Sequence, residues 1–267
     1  MTTRQYRQTD MEAPESVSLE GGAACVYSHR CPGKMTVNED VAAVIPLEGA
    51  ASIIAVADGL GGEQAGAHAA HLAIESLAHA VVSASDRGEP LRTAILNGIE
   101  SGNEAIQALG IGAATTLAVV EIADDEIRPY HVGDSEILVV GGRGKVKLQT
   151  VSHSPVGYAV EAGILDQRAA IDHEHRHIVS NVVGSPDMRI EVGSPLRLAR
   201  RDTVLLASDG LTDNLHLEEI VELARKGPSE KAMVRLVETA HERMRNPSAS
   251  APSKPDDLTI VLYRRTA

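Results

Sequence analysis

The sequence predicts an α+β fold built on stacked antiparallel sheets. Strand-like and helix-like stretches occur in blocks rather than in strict alternation. Four consecutive apolar runs in the middle of the chain are joined only by short Gly-rich or acidic turns, as in an antiparallel meander. No composition break divides the 267 residues, which suffice for a large core.

Residues 1–20 are polar without clear periodicity and read as a flexible N-terminal leader, with a single domain over 21–267. Order is expected from Ala23-Ala24-Cys25-Val26-Tyr27, followed by strands over Val41–Ile45 and Ala51–Ala57. Ala67–Val82 places Ala70, Ile74, Leu77 and Val81 on one helical face, and Leu91–Leu109 reads as a second helix. The meander covers residues 116–122, 127–132, 136–140 and 146–151. Residues 152–193 form a flap-like insertion with short helices between Tyr158 and Ala170. Asp202–Ser208 returns to strand, two helices lie within Leu217–Arg245, residues 246–255 are a Pro/Ser loop, and Leu258–Tyr263 is the last strand.

A formal net charge of -12 argues against nonspecific affinity for nucleic acid or an anionic membrane. With no Phe, no Trp and 5 Tyr, base-stacking platforms are not expected and the core must be aliphatic. No apolar stretch reaches the roughly 18 residues of a membrane span, and Met1–Glu20 lacks a signal-peptide core. Cys25 and Cys31 are expected as reduced thiols of a cytoplasmic protein.

The chemistry lies in short acidic motifs at the ends of apolar runs: Asn38-Glu39-Asp40, Ala57-Asp58-Gly59-Leu60-Gly61-Gly62, His131-Val132-Gly133-Asp134-Ser135, Ala207-Ser208-Asp209-Gly210 and Asp256-Asp257-Leu258-Thr259. A carboxylate just beyond a buried strand is delivered to a sheet edge by a rigid element. Singly, each motif reads equally well as a turn or a helix cap. Gathered together they would repel one another unless a cation sat among them, and an all-oxygen ligand set suits magnesium or manganese. In Asp58-Gly59 the glycine also lets its carbonyl turn toward an ion without a Cβ clash.

Taken in order with Ala114-Thr115-Thr116-Leu117 and the continuation to Leu211-Thr212-Asp213, these motifs resemble the metal-dependent serine/threonine protein phosphatases of type 2C in their compact bacterial form. The resemblance runs from about Ala23 to Arg264. It implies a four-layer α-β-β-α sandwich with two central antiparallel sheets and two Mn2+ or Mg2+ ions in a cleft at one end. Asp58 would bridge the ions, Gly59 would give its carbonyl to one, and Asp209 and Asp256 would complete the other's shell. Glu39 and Asp40 match an acidic pair that acts directly or through metal-bound water, so Asp58, Glu39 and Asp40 are the candidate catalytic residues. Asp134 matches a position that helps hold a third, looser ion. The implied mechanism is in-line attack on phosphorus by a hydroxide bridging the two ions, without a covalent phosphoenzyme. The implied partner is a phosphoprotein, opposing a serine/threonine kinase.

The chain departs from that pattern at several places. Where many relatives carry a phosphate-clamping Arg stands Met35, which leaves Lys34 or Arg30 as substrate-binding candidates. Leu60 occupies a place where animal relatives have a candidate general acid, and it cannot donate a proton. Ala113-Ala114 replace a usual Gly, and Gln167-Arg168 stand where bacterial flaps often carry an acidic pair, with Asp166 and Asp172 as substitutes. His173, His175 and His177 share a face if extended and could hold zinc, although a polar flap loop explains them as well. Gly141-Gly142-Arg143-Gly144 reads as a hairpin turn rather than a phosphate cradle. Two other functions stay open: a regulatory or binding module with little turnover, and a small-metabolite phosphomonoesterase.

Overall fold

The computed structural model describes residues 2–265. Its elements in chain order are β1 (Arg4–Arg7), β2 (Glu15–Leu19), β3 (Gly22–His29), β4 (Val41–Pro46), β5 (Ala51–Ala57), β6 (Gly59–Leu60), α1 (Glu63–Asp86) and α2 (Leu91–Ala108). There follow β7 (Ala114–Thr115), β8 (Leu117–Ala123), β9 (Glu126–Val132), β10 (Glu136–Val140), β11 (Val146–Gln149), α3 (Pro155–Glu161) and α4 (Gln167–Ile171). The chain closes with β12 (Glu191–Val192), β13 (Leu196–Arg197), β14 (Thr203–Ala207), α5 (Asp209–Thr212), α6 (Leu217–Ala224), α7 (Ser229–Arg245) and β15 (Leu258–Arg265).

One antiparallel sheet runs β1-β4-β5-β8-β9-β12, with β13 also on β9; the other runs β11-β10-β14-β15-β3-β2. Period-two burial explains why they stack. In β5, Ile53, Ala55 and Ala57 pack toward α1 and α2, while Ile54 and Val56 meet the second sheet. In β14, Val204 and Leu206 face the first sheet, and Leu205 and Ala207 face α6 and α7. Three apolar layers therefore separate four layers of structure, the α-β-β-α sandwich that the resemblance implied. The outer helices come close because small residues permit it: a Cβ on Gly98 would lie 2.9 Å from Leu77 Cα, and one on Gly102 3.1 Å from Ala73 Cα.

Two expectations are corrected. The N-terminal segment is not a free leader, since β1 pairs with β4 and β2 with β3, each as the edge strand of a sheet. Tyr6, Val17 and Leu19 bury their side chains between the sheets, an anchorage too sparse to register as periodicity. The meander is also broken. β8 pairs with β9 and β10 with β11, but β9 and β10 lie in different sheets. Strands buried on both faces look alike in sequence whichever sheet they join. The crossover is Gly133-Asp134-Ser135; Gly133 has φ 103°, and a Cβ there would lie 2.7 Å from Thr116 Cβ. Gly141–Gly144 closes the β10–β11 hairpin as expected, with Gly144 N donating to Gly141 O at 2.8 Å.

Candidate active site

Antiparallel pairing brings the acidic motifs to one end of the sandwich. Val41 is opposite Ala57, which sets Asp40 beside Asp58. Ala207 is opposite Ile260 and Glu136, which brings Asp209, Asp256 and Asp134 to the same edge.

Each carboxylate is held by its own scaffold. The Asp58 backbone is clamped by the Thr115-Thr116 pair: its carbonyl accepts from Thr116 N at 2.9 Å and Thr115 Oγ1 at 2.8 Å, and its N–H donates to Thr116 Oγ1 at 3.1 Å. Asp40 is 1% exposed, and its Oδ2 accepts from Ser208 Oγ at 2.8 Å. Its Oδ1 is buried with no hydrogen-bond partner among the described residues. Gly59 meets the demand for a bare Cα, because a Cβ there would fall 2.3 Å from Gly66 O and 2.9 Å from Glu39 O.

The electrostatics are those of crowded anions. Burial, then the Asp40 and Asp209 charges, holds the Asp58 carboxyl well above the usual carboxylate range. Burial and Asp257 do the same to Asp40. Burial and Asp209 push Asp134 up to about 7 and Asp256 up to about 6. Asp209 and Glu39 are raised as well, chiefly by burial. An all-carboxylate set in this state, with a buried oxygen lacking a donor, fits hard divalent cations.

Two lysines occupy this edge. Lys34 Nζ donates to Glu39 Oε2 and Asp257 Oδ2, both at 2.7 Å. Asp257 also accepts from Cys31 N at 2.7 Å and Glu39 N at 2.8 Å, so it anchors the first acidic motif rather than adding a loose charge. Lys254 Nζ lies 2.6 Å from Asp209 Oδ2, 2.8 Å from Asp213 Oδ2 and 3.1 Å from Asp256 Oδ2. Lys254, Asp213 and the Thr115-Thr116 clamp were not among the expected site residues. Lys254 and Asp213 had only their nearness to acidic motifs as a signal, and Thr115-Thr116 only their place in the Ala114–Leu117 motif of the resemblance. Arg30 is set apart: it pairs with Asp10, its Nε 3.3 Å from Oδ2. Met35 is 91% exposed.

The segment 152–193 packs beside this centre. α3 starts at Pro155 with Ser154 Oγ accepting from Gly157 N, and a cleft of about 340 Å³ opens between α3, α4 and α6, with Asp134, Asp209, Asp213, Arg168 and Arg176 on its walls. Asp166 caps α4, accepting from Arg168 N at 2.9 Å, so this substitute for the missing acidic pair serves the helix. His173, His175 and His177 lie on a turn rather than an extended strand, which removes the shared face a zinc site would need.

Among the described residues, the cluster of three metal-ligating side chains with ligand atoms within 4.8 Å of one another is His131, His153 and Glu191, not a trio from the acidic edge. Its hydrogen bonds argue against an ion. His153 Nδ1 accepts from Gly133 N at 3.0 Å and from Asn181 Nδ2 at 2.8 Å, and the Asn181 amide is oriented by Arg189, whose N donates to Asn181 Oδ1. The His153 proton is thereby assigned to Nε2, facing Glu191 at 3.2 Å, and leaves no lone pair there for a metal. At the acidic edge the carboxylates are spread around the Lys254 ammonium.

Comparison with known proteins agrees with this geometry. The family profile described as Protein phosphatase 2C matches residues 27–252. The chain belongs to the protein phosphatase 2C family. It is accordingly a protein phosphatase of the serine/threonine type. Protein phosphatase PhpP of Streptococcus pneumoniae is 32% identical over 194 residues, 70% of this chain and 78% of that one. The solved serine/threonine phosphatase PstP/Ppp of Mycobacterium tuberculosis superposes with a TM-score of 0.75 at 25% identity, covering 91% of this chain and 98% of that one. A structure of the PstP catalytic domain in complex with 2 manganese ions superposes at 0.72, with 25% identity and coverage of 91% and 98%. No helix among the described residues is long and apolar enough to cross a membrane.

Proposed function

We propose that this phosphatase hydrolyses phosphoseryl and phosphothreonyl groups of proteins phosphorylated by a serine/threonine kinase, with two Mn2+ or Mg2+ ions held by Asp58, the Gly59 carbonyl, Asp209 and Asp256. The observation that carries this reading is the meeting of Asp40, Asp58, Asp134, Asp209 and Asp256 at one sheet edge, each carboxyl raised, together with the unpartnered Asp40 Oδ1. When bound, the ions would supply a hydroxide near neutral pH and offset charge on the phosphoryl oxygens.

The chain's own residues do the rest. Thr115 and Thr116 fix the backbone of Asp58 at the end of its strand, so the carboxylate springs from a rigid anchor at the centre. Glu39 and Asp40, oriented by Lys34 and Ser208, are proton acceptors at the reacting water. Lys34 uses two ammonium donors on carboxylates, which leaves the third for a phosphate oxygen on the side where Met35 offers nothing. Arg30, at the rim with Asp10, contacts the flanking peptide. Asp134 would help hold a third, looser ion at the same edge.

Hydrolysis of p-nitrophenyl phosphate and of a phosphothreonine peptide, each with and without manganese, tests the proposal. Both activities require the metal and fall at least about a hundredfold in Asp58→Asn and in Asp209→Asn. Turnover without metal, or cleavage of the dye ester with no phosphopeptide accepted, overturns it.

A further inference from the structure

We propose that Lys254 is a resident counter-cation of the acidic centre, whose ammonium takes the place of a dication between Asp209 and Asp256 and must be displaced when manganese binds. This rests on the reading of Asp209 and Asp256 as metal ligands. The three ammonium donors match Asp209 at 2.6 Å, Asp213 at 2.8 Å and Asp256 at 3.1 Å, and of these Asp213 is not an expected ligand.

The contact is built, not incidental. The backbone of Lys254 is pinned to the Asp209-Gly210 turn by the buried Asn214: Lys254 N donates to Asn214 Oδ1 at 2.9 Å, and Asn214 Nδ2 donates to Lys254 O at 2.8 Å and to Gly210 O at 2.9 Å. That amide bridge aims the side chain at the cluster. The four-carbon stem leaves the ammonium free to withdraw while the backbone stays in place. A dication needs oxygens at about 2.0–2.2 Å, and an ammonium cannot remain among oxygens drawn that close to a second positive centre. Metal binding here is therefore an exchange of one cation for another. The exchange keeps the metal-free protein intact and lowers its affinity for the ion.

Calorimetric titration with manganese alone, on wild type, Lys254→Met and Lys254→Arg, reads the exchange. Expected is a manganese affinity about tenfold or more higher in Lys254→Met for one of the ions, with Lys254→Arg near wild type. The metal-free Lys254→Met protein melts below wild type. Amine-reactive labelling of wild type, quantified by peptide mass spectrometry, gives a reading that needs no variant: Lys254 reacts several-fold faster with manganese present, while the exposed Lys145 is unchanged. Equal or weaker manganese binding in Lys254→Met, or labelling of Lys254 indifferent to manganese, overturns the inference and leaves the metal site standing. A wild-type protein that binds no manganese removes the metal site itself.

Discussion

The Asp257 carboxylate accepts the Lys34 ammonium at 2.7 Å across 223 residues of sequence, and through that bond the last acidic motif sets the first. Asp257 is 4% exposed and takes two backbone N–H groups besides. Asp257→Ala would leave the Cys31 and Glu39 amides without their acceptor and Lys34 with Glu39 alone. A loss of about 2–4 kcal/mol in urea unfolding is expected. Asp257→Asn retains one acceptor oxygen and loses less.

Metal-free stability should fall as pH rises. Asp134 and Glu136 are pushed up to about 7 and Asp256 to about 6, each chiefly by burial, against roughly 4 in an unfolded chain. Between about pH 4 and pH 7 the native state thus binds more protons than the unfolded state, so the slope of stability with pH is negative. The melting temperature without metal is higher at pH 5 than at pH 7.5. Saturating manganese reverses the order, since ligation requires the deprotonated carboxylates. A metal-free protein that gains stability over that interval would contradict the crowded-anion picture.

Gly210 sits where the Asp209 turn passes the final strand, and a Cβ on it would lie 2.0 Å from Asp257 O. Gly210→Ala must push the Asp209 turn away from Asp257. It should cost roughly 2–3 kcal/mol and weaken manganese binding beyond what the stability loss explains. Urea unfolding and manganese titration of the same preparation separate the two effects.

His153 ties the start of the segment 152–193 to the crossover that carries Asp134: its N donates to Gly133 O at 2.9 Å and its Nδ1 accepts from Gly133 N at 3.0 Å. His153→Ala leaves the Gly133 amide without its acceptor and should destabilise by about 1–3 kcal/mol. His153→Asn places an oxygen near the lost Nδ1 and should recover part of that. Hydrogen exchange at the Gly133 amide is the readout, fast in the alanine variant and slower in the asparagine one.

Much was legible in the chain because strand and helix periods are local. The aliphatic run Ala51–Ala57 and the helical stripe through Ala70, Ile74, Leu77 and Val81 specify their elements wherever those elements end up. The acidic motifs were legible too, since a carboxylate at the end of a buried strand is an anomaly in one dimension. That β9 and β10 separate into two sheets was not, because both bury apolar residues on both faces.

Sequence alone determined the long core strands and helices, the aliphatic core and the aspartates that stand at strand ends. Only the tertiary structure decided what those aspartates face. Lys254 and Lys34 reach carboxylates far along the chain, and β1 and β2 dock on strands that follow them. Such pairings are set by which strand ends antiparallel packing brings together, and residue order does not encode that distance.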